Sequence, residues 1–378
     1  MGGRERRATV ADVAALAGVS VGTASKALNG RGSLREETRT RVKEAARQLN
    51  VLVGPAGRGV ASGRTYTVGM ITTDRMGRIS LPVLMGAEDA LGAGQMSVFL
   101  CDGRDDPIRE QYYLKTLLSR RVDGIIVTGR RTRPRAPIGA NLPVPVVYAY
   151  IGSTDPRDCT VEPDEAGGVR KGIEHLLAIG RTRIAHIAGP EQHNSSRLRS
   201  AAAADRLAEE GLELVTPPMF GAWTETWGRQ AVGILLSSRI EFDAVFCGND
   251  QIGRGAADAL RAAGRRVPED VAILGFDNWD IMAEYSQPPL TSIDMNLTGL
   301  GRSAAHILLA GINGNPSPGR HLYPCDLVIR ESTTVPLLSA PRTPDARPGA
   351  DLRPEASVAG LTGHGMPLAG DVPHASAG

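Results

Sequence analysis

The chain has 378 residues, 42% of them apolar and 22% charged, with a formal net charge of +2. No stretch approaches the ~18 consecutive apolar residues of a membrane-spanning helix, so the composition reads as globular, with room for two or three domains. The charge is unevenly spread: residues 1–64 carry +7 and the remainder −5, so a small basic head on a mildly acidic body points to a polyanion contact at one end.

At the N-terminus, Arg4, Arg6 and Arg7 resemble the basic start of a secretory leader. Asp12, Ser20 and Lys26 interrupt any apolar run behind them, so a cytoplasmic protein is expected. In Thr9–Ala17, residues Val10, Val13, Ala14 and Ala17 share one helical face. Thr9 is a suitable N-cap, Asp12 a favourable charge near the free N–H groups, and Gly18 a natural stop. The next residues, Gly18-Val19-Ser20-Val21-Gly22, match G-x-S-x-G, the nucleophile elbow of α/β hydrolases. An elbow requires a buried strand before the serine, and here a helix precedes it. Ser20 therefore reads as the N-cap of a second helix, Val21 to about Leu28, closed by Asn29-Gly30. Ser33–Glu36 has the spacing of a capping box, and a third helix carries Val42, Ala45, Ala46 and Leu49 on one face.

Helix, glycine turn, helix is the helix-turn-helix pattern, whose second helix enters the DNA major groove. With Ala24 and Leu28 turned inward, Val21, Gly22, Ser25, Lys26 and Asn29 face outward. Lys26 is the best candidate base reader, through guanine O6 and N7, and Val21 suits a thymine methyl. Thr9, Ser20, Thr23, Ser25 and Asn29 suit phosphate oxygens. A plain three-helix bundle is the competing reading, weakened by the coincidence of turn glycine, two caps and basic charge. The stretch TVADVAALAGVSVGTASKALNG resembles the DNA-binding head of the lactose-repressor (LacI/GalR) family of bacterial transcriptional regulators.

In that family a short hinge helix follows and enters the minor groove. Its counterpart here is Gly54–Ala61, in which Arg58 would touch the groove or a phosphate and Val60 occupies the wedge position. Gly57 and Gly59 each cost roughly 1 kcal/mol in a helix interior. The stretch is therefore open between a hinge that folds only on DNA and a flexible linker.

From Tyr66 onward, short apolar strands such as GIIVTG, IAHIAG and VAILGFD alternate with amphipathic helical segments, the pattern of parallel α/β sheets. Ligands in such folds sit at the carboxyl ends of strands, where Asp74, Tyr150, Asn249, Asp250 and Asp277 fall; Asp250 also suits a cap for the helix beginning at Gln251. Phrases including DEAGGVRKGIEHLLAIGRTRIAHIAGP extend the resemblance to about residue 335. The resemblance implies a two-lobed body like that of the periplasmic binding proteins. It also implies an effector contact by Arg199, an amide and a carboxylate from Asn249 and Asp277, and a stacking face from Trp223. Tyr150 stands where several relatives carry Asp, which argues against a simple hexose.

The expected fold is thus an N-terminal all-α helix-turn-helix head joined by a hinge to an α/β two-lobed domain with parallel sheets. The head spans 1–53, the hinge or linker 54–65, and the effector-binding and dimerisation domain 66–338. Lobe one takes about 66–164 plus 294–323, and lobe two about 165–293 plus 324–338. Residues 339–378, rich in Pro, Gly, Ala and Ser, read as a disordered tail. The tail lacks the leucine heptads of the lactose repressor, which favours a dimer. Scattered Cys101, Cys159, Cys247 and Cys325, and histidines without metal-ligand spacing, predict no metal and no cofactor. The expected function is a repressor that binds a palindromic double-stranded DNA operator as a homodimer under control of a sugar-like effector, with no enzymatic activity. A transport-type sugar-binding protein is the alternative for the body alone.

Overall fold

The computed structural model describes residues 8–28, 32–51, 64–74, 77–93 and 96–334. The expectations for Asn29, Arg58 and Val60, for most of the hinge and for the tail lie outside the described residues.

The head is three helices: α1 (Val10–Ala17), α2 (Val21–Leu28) and α3 (Glu36–Gln48). Their shared core is Val13, Ala14, Ala17, Ala24, Ala27, Val42, Ala45 and Ala46. Six of these eight are alanines, so the helices approach closely but each side chain buries little apolar area. At about 25 cal/mol per Å2 such a core is thin, which raises the weight of the end caps. Thr9 and Asp12 form a reciprocal capping box. Gly18, at φ +63°, closes α1: its N–H donates to the Ala15 carbonyl and the Val19 N–H to the Ala14 carbonyl.

Two local expectations need correction. The inward pair on α2 is Ala24 and Ala27, with Leu28 only partly buried beside them. The capping box at Ser33 does not form: α3 starts at Glu36, after an Arg35 that makes no side-chain cap. Leu34 packs against the head core and its N–H donates to the Gly32 carbonyl, which holds Ser33 upstream of the helix. Glu36 and Glu37 instead place negative charge on the first turn.

The body holds two six-stranded sheets. The first comprises β1 (Thr67–Thr72), β2 (Ser97–Asp102), β3 (Gly124–Thr128), β4 (Val146–Ala149), β5 (Cys159–Asp164) and β11 (Gly319–Pro324), in the order β11-β5-β4-β3-β1-β2 and wholly parallel. The second comprises β6 (Ile184–Ala188), β7 (Met219–Phe220), β8 (Ala244–Cys247), β9 (Ala272–Phe276), β10 (Thr291–Asp294) and β12 (Asp326–Val328), in the order β12-β10-β9-β8-β6-β7. Only β12 runs antiparallel, against β10. The chain passes between the sheets three times: after β5, after β10, and between β11 and β12.

Flanking helices are α4 (Ser80–Ala93), α5 (Pro107–Ser119), α6 (Glu165–Ala178), α7 (Asn194–Ala208), α8 (Glu225–Ser237), α9 (Asp250–Ala262), the short α10 (Asp280–Ala283) and α11 (Leu297–Ile312). β3, β6 and β9 are buried along their whole length, which explains their unbroken apolar runs. In each sheet the strand order reverses once, between β1 and β3 in the first and between β6 and β8 in the second. Loops leaving such neighbouring strands diverge to opposite faces and open a crevice at their carboxyl ends.

Candidate functional sites

In the head, the Ser20 hydroxyl accepts a hydrogen bond from the Thr23 N–H at 3.1 Å and lies 2.9 Å from the Thr23 hydroxyl. Ser20 caps α2 and has a helix, not a strand, before it. With no elbow geometry, the G-x-S-x-G match carries no hydrolytic chemistry. The cap leaves α2 with a mostly open outer face: Val21, 53% exposed, with exposed Gly22 and Lys26 and half-buried Ser25. Thr9 and Thr23 sit at the starts of α1 and α2, where their hydroxyls also serve local bonds. An exposed apolar side chain and an exposed cation on the same helix suit a thymine methyl and a base edge, respectively.

In the body, a cleft of about 480 Å3 lies where both strand-order reversals predict one. That volume falls within the ~300–1,000 Å3 usual for small-molecule sites. The first sheet contributes Asp74 and Arg78 from the loop after β1, Arg130–Arg133 from the loop after β3, and Tyr150 after β4. The second contributes the start of α7, Arg199 within it, Trp223 before α8, Asn249 after β8, and Asp277 after β9. A smaller pocket, about 260 Å3, lies near the amino ends of β4 and β5.

Arg199 is 3% exposed, and three of its five N–H groups donate within the protein. Its Nε and Nη2 each donate to Glu165 at 3.2 Å, and its Nη1 donates to the Gly248 carbonyl at 2.5 Å. The same Nη1 lies 3.5 Å from Asp277, and the guanidinium stacks 3.5 Å above the Phe276 ring. Burial opposes the Arg199 charge, but Glu165 and Asp277 outweigh it and hold the pKa above its ordinary value. Glu165, absent from the sequence-derived set, is therefore the main counter-charge. Asp277 also pairs with Arg78 from the opposite sheet, and Arg78 in turn stacks on Trp279 at 4.9 Å.

Trp223 donates its indole N–H to Nδ1 of His193 at 2.8 Å. It lies against glycines: a Cβ on Gly189 would come within 2.3 Å of the indole, and one on Gly248 within 3.1 Å. Any side chain at Gly189 would drive the ring into the cleft. Tyr150 is buried with φ +73°, and desolvation raises its phenol pKa, so it stays neutral at the cleft wall.

Two carboxyl-end residues line the cleft while serving the backbone. One Asp74 oxygen accepts from the N–H groups of Ile79 and Ser80, at 2.7 and 3.0 Å, and caps α4. Asn249, not Asp250, caps α9: its Oδ1 accepts from the Ile252 N–H at 2.9 Å, and its Nδ2 donates to Gln251 Oε1 at 3.5 Å. Asp250 is the first residue of that helix and is buried away from the cleft, accepting from the Trp279 N–H at 2.7 Å and the Ser292 hydroxyl at 2.5 Å. The correction follows from geometry, since an N-cap must lie outside the helix to reach its free N–H groups.

Sequence reasoning passed over Arg78, Arg130, Arg131, Arg133, Glu165 and the start of α7. The run Arg130-Arg131-Thr132-Arg133 directly after an apolar strand was a usable signal. The Arg78 and Glu165 pairings had none, because their partners lie far along the chain.

A helix-turn-helix head carried with a two-sheet body and a ligand-sized cleft defines the class of DNA-binding regulators that carry a small-molecule-binding type of domain. The family described as bacterial regulatory proteins, lacI family, matches residues 9–51, and the periplasmic binding protein-like domain matches residues 173–333. The chain is 32% identical over 339 residues to the HTH-type transcriptional regulator CelR of Thermobifida fusca, a match covering 87% of this chain and 99% of that protein. It is similar to the solved transcriptional regulator CelR–cellobiose complex, with TM-score 0.60 and 31% identity over 86% of this chain and 100% of that one. A lac repressor dimer bound to operator and the anti-inducer ONPF gives TM-score 0.68 and 27% identity, over 87% of this chain and 99% of that one. The chain belongs to the LacI family of bacterial regulatory proteins, and its relatives are transcriptional regulators rather than enzymes.

Proposed function

We propose that this protein is a cytoplasmic repressor that binds a palindromic operator as a homodimer, with operator affinity set by a carbohydrate-like effector in the cleft. The observation that carries this reading is the presence, in one chain, of an exposed recognition face on α2 and a cleft between two sheets. The proposed division is a head at 1–53, a hinge at 54–65, and a two-lobed body at 66–338 whose lobes exchange chain near residues 164, 294 and 324. Two heads on a symmetric dimer call for an inverted-repeat site. A transport-type binding protein would leave the head without a role.

Within the cleft, Arg199 and Asp277 would hold hydroxyls by charge-assisted hydrogen bonds, with Asn249 supplying an amide N–H beside its long contact to Gln251. Trp223 would pack against the apolar face of a sugar ring, and Tyr150 and Asp74 would complete the wall. An effector changes operator affinity only by favouring one arrangement of the lobes over the other.

The test is binding of the purified full-length protein to DNA fragments from upstream of its own gene, at two salt concentrations, with and without a sugar panel that includes cellobiose. Tight binding to one palindrome, altered by one sugar, is the expected result. Uniform, strongly salt-dependent binding to every fragment, unaffected by any sugar, overturns the reading.

A further inference from the structure

We propose that the effector carries an anionic group, a phosphate or carboxylate, seated between Arg130, Arg131 and Arg133 on one side of the cleft and the first turn of α7 on the other. This deepens the ligand-binding reading above and rests on it.

Charge is the first argument. Five arginines and two aspartates line the cleft, a net of +3 among those side chains. The balance is local. Arg78 and Arg199 are neutralised by Asp277 and Glu165. Among the described residues, Arg130, Arg131 and Arg133 make no ion pair, and residues 129–139 include no acidic side chain. All three are exposed, line one wall of the cleft and, among the described residues, have no ion-pair partner.

The facing element is the second argument. α7 runs 15 residues from Asn194, and its N-cap, His193, makes no side-chain cap. The His193 ring nitrogen that would serve is occupied by the Trp223 indole. The first-turn N–H groups of Asn194 and Ser195, both cleft-lining residues, therefore have no side-chain acceptor at the positive end of a long helix. Uncapped helix N-termini of this kind bind oxyanions. Arg131 and Arg130 act electrostatically on His193, reinforcing the burial that lowers its pKa, which places the arginine run close to this helix end.

An unsatisfied hydroxyl is the third. Thr132 lies in the cleft wall between Arg131 and Arg133, is 7% exposed, and its hydroxyl has no hydrogen-bond partner. A buried hydroxyl without a partner costs roughly 1–3 kcal/mol; the Thr132 oxygen is shut off from the cleft surface, so an acceptor reaches it only if the arginine-bearing wall shifts on binding. Guanidinium forks on one side of the cleft and backbone N–H groups on the other form a donor set for an oxyanion. A neutral sugar would leave three cations facing a helix N-terminus as the cleft closes. Trp223, Asp277 and Asn249 remain for the sugar itself.

The test is calorimetric titration of the full-length protein with inorganic phosphate, glucose 6-phosphate, glucuronate, glucose and cellobiose, repeated on an Arg130→Ala/Arg131→Ala/Arg133→Ala variant whose unchanged circular dichroism shows that it folds. We expect an anionic probe to bind on the order of tenfold or more tightly than neutral glucose, with affinity falling as salt rises and the preference lost in the triple variant. Preference for glucose 6-phosphate assigns a phosphate, and preference for glucuronate a carboxylate. If a neutral sugar binds as well as the anions, and equally to the variant, the anion site falls while the sugar-effector reading stands. If none of the five binds, both fall.

Discussion

Arg78, between β1 and α4, pairs with Asp277, at the end of β9, and so ties the first sheet to the second across the cleft. Asp277 sits at φ +99°, a conformation costly for any residue but glycine, and is held there by its N–H bond to the Ile293 carbonyl at 2.9 Å. One strained carboxylate therefore serves an arginine from each side. Removing the cross-cleft partner with Arg78→Ala should favour a more open body, read as a larger radius of gyration by small-angle scattering. Identical scattering from variant and wild type counts against the pair as a clasp.

Arg199 is both a candidate effector contact and a structural hub. Arg199→Ala would leave Glu165 buried beside Asp277 without its main counter-charge, a change expected to cost about 3–5 kcal/mol. Thermal unfolding should therefore report a large loss, with operator binding falling along with the folded fraction. Arg199→Lys keeps one charge but loses the two-pronged Glu165 contact, and should retain the fold better while weakening the effector response. Wild-type stability in Arg199→Ala would contradict the hub.

Lys26 is exposed on the outer face of α2. If it reads a base, Lys26→Ala should weaken operator binding by roughly 1–3 kcal/mol while non-specific binding falls less. Competition binding against scrambled DNA measures the difference. Equal losses on both DNAs would reassign Lys26 to the phosphates.

Ser20→Ala removes the cap that accepts the Thr23 N–H. The expected cost is about 0.5–2 kcal/mol of head stability, measurable as earlier melting of the head by circular dichroism. A head that melts as in wild type would mean that the Ser20 hydroxyl does not act as a cap.

Asp250 carries a pH dependence of known sign. Burial, reinforced by the neighbouring Asp277 charge, pushes its carboxyl up to about 8. An unfolded aspartate ionises near about 3.9, so between these values the folded protein holds one proton more than the unfolded chain. The associated stability is fully present below the unfolded value and is lost as pH rises through about 8, with a limiting slope of about 1.4 kcal/mol per pH unit. His186, held down to about 4 by burial, has the opposite sign and acts below about 6.5. Denaturant titrations between pH 6.5 and 8 should show wild type losing stability and Asp250→Asn losing less. Parallel curves would remove Asp250 as the source.

Much of the head was legible because helix ends are written locally: Thr9 with Asp12, Gly18, and Ser20 each act within five residues. Ser33 misled because Leu34 is drawn into the core, a tertiary contact that moved the helix start. The alternation of buried strands and amphipathic helices likewise announced parallel sheets, since a strand covered on both faces must be apolar throughout.

Sequence alone determined the head's three helices, the α/β character of the body, and the strand-end location of Asp74, Tyr150, Asn249 and Asp277. Tertiary structure decided which of those groups are free for a ligand. Asp74 and Asn249 each commit an oxygen to a helix end. Arg199 takes Glu165, 34 residues away, and Asp277 takes Arg78, 199 residues away. It also set the unpaired arginines after β3 near the uncapped start of α7. The physical reason is strand order: charge pairing acts over a few ångströms, and only the sheet topology brings such distant segments within that range.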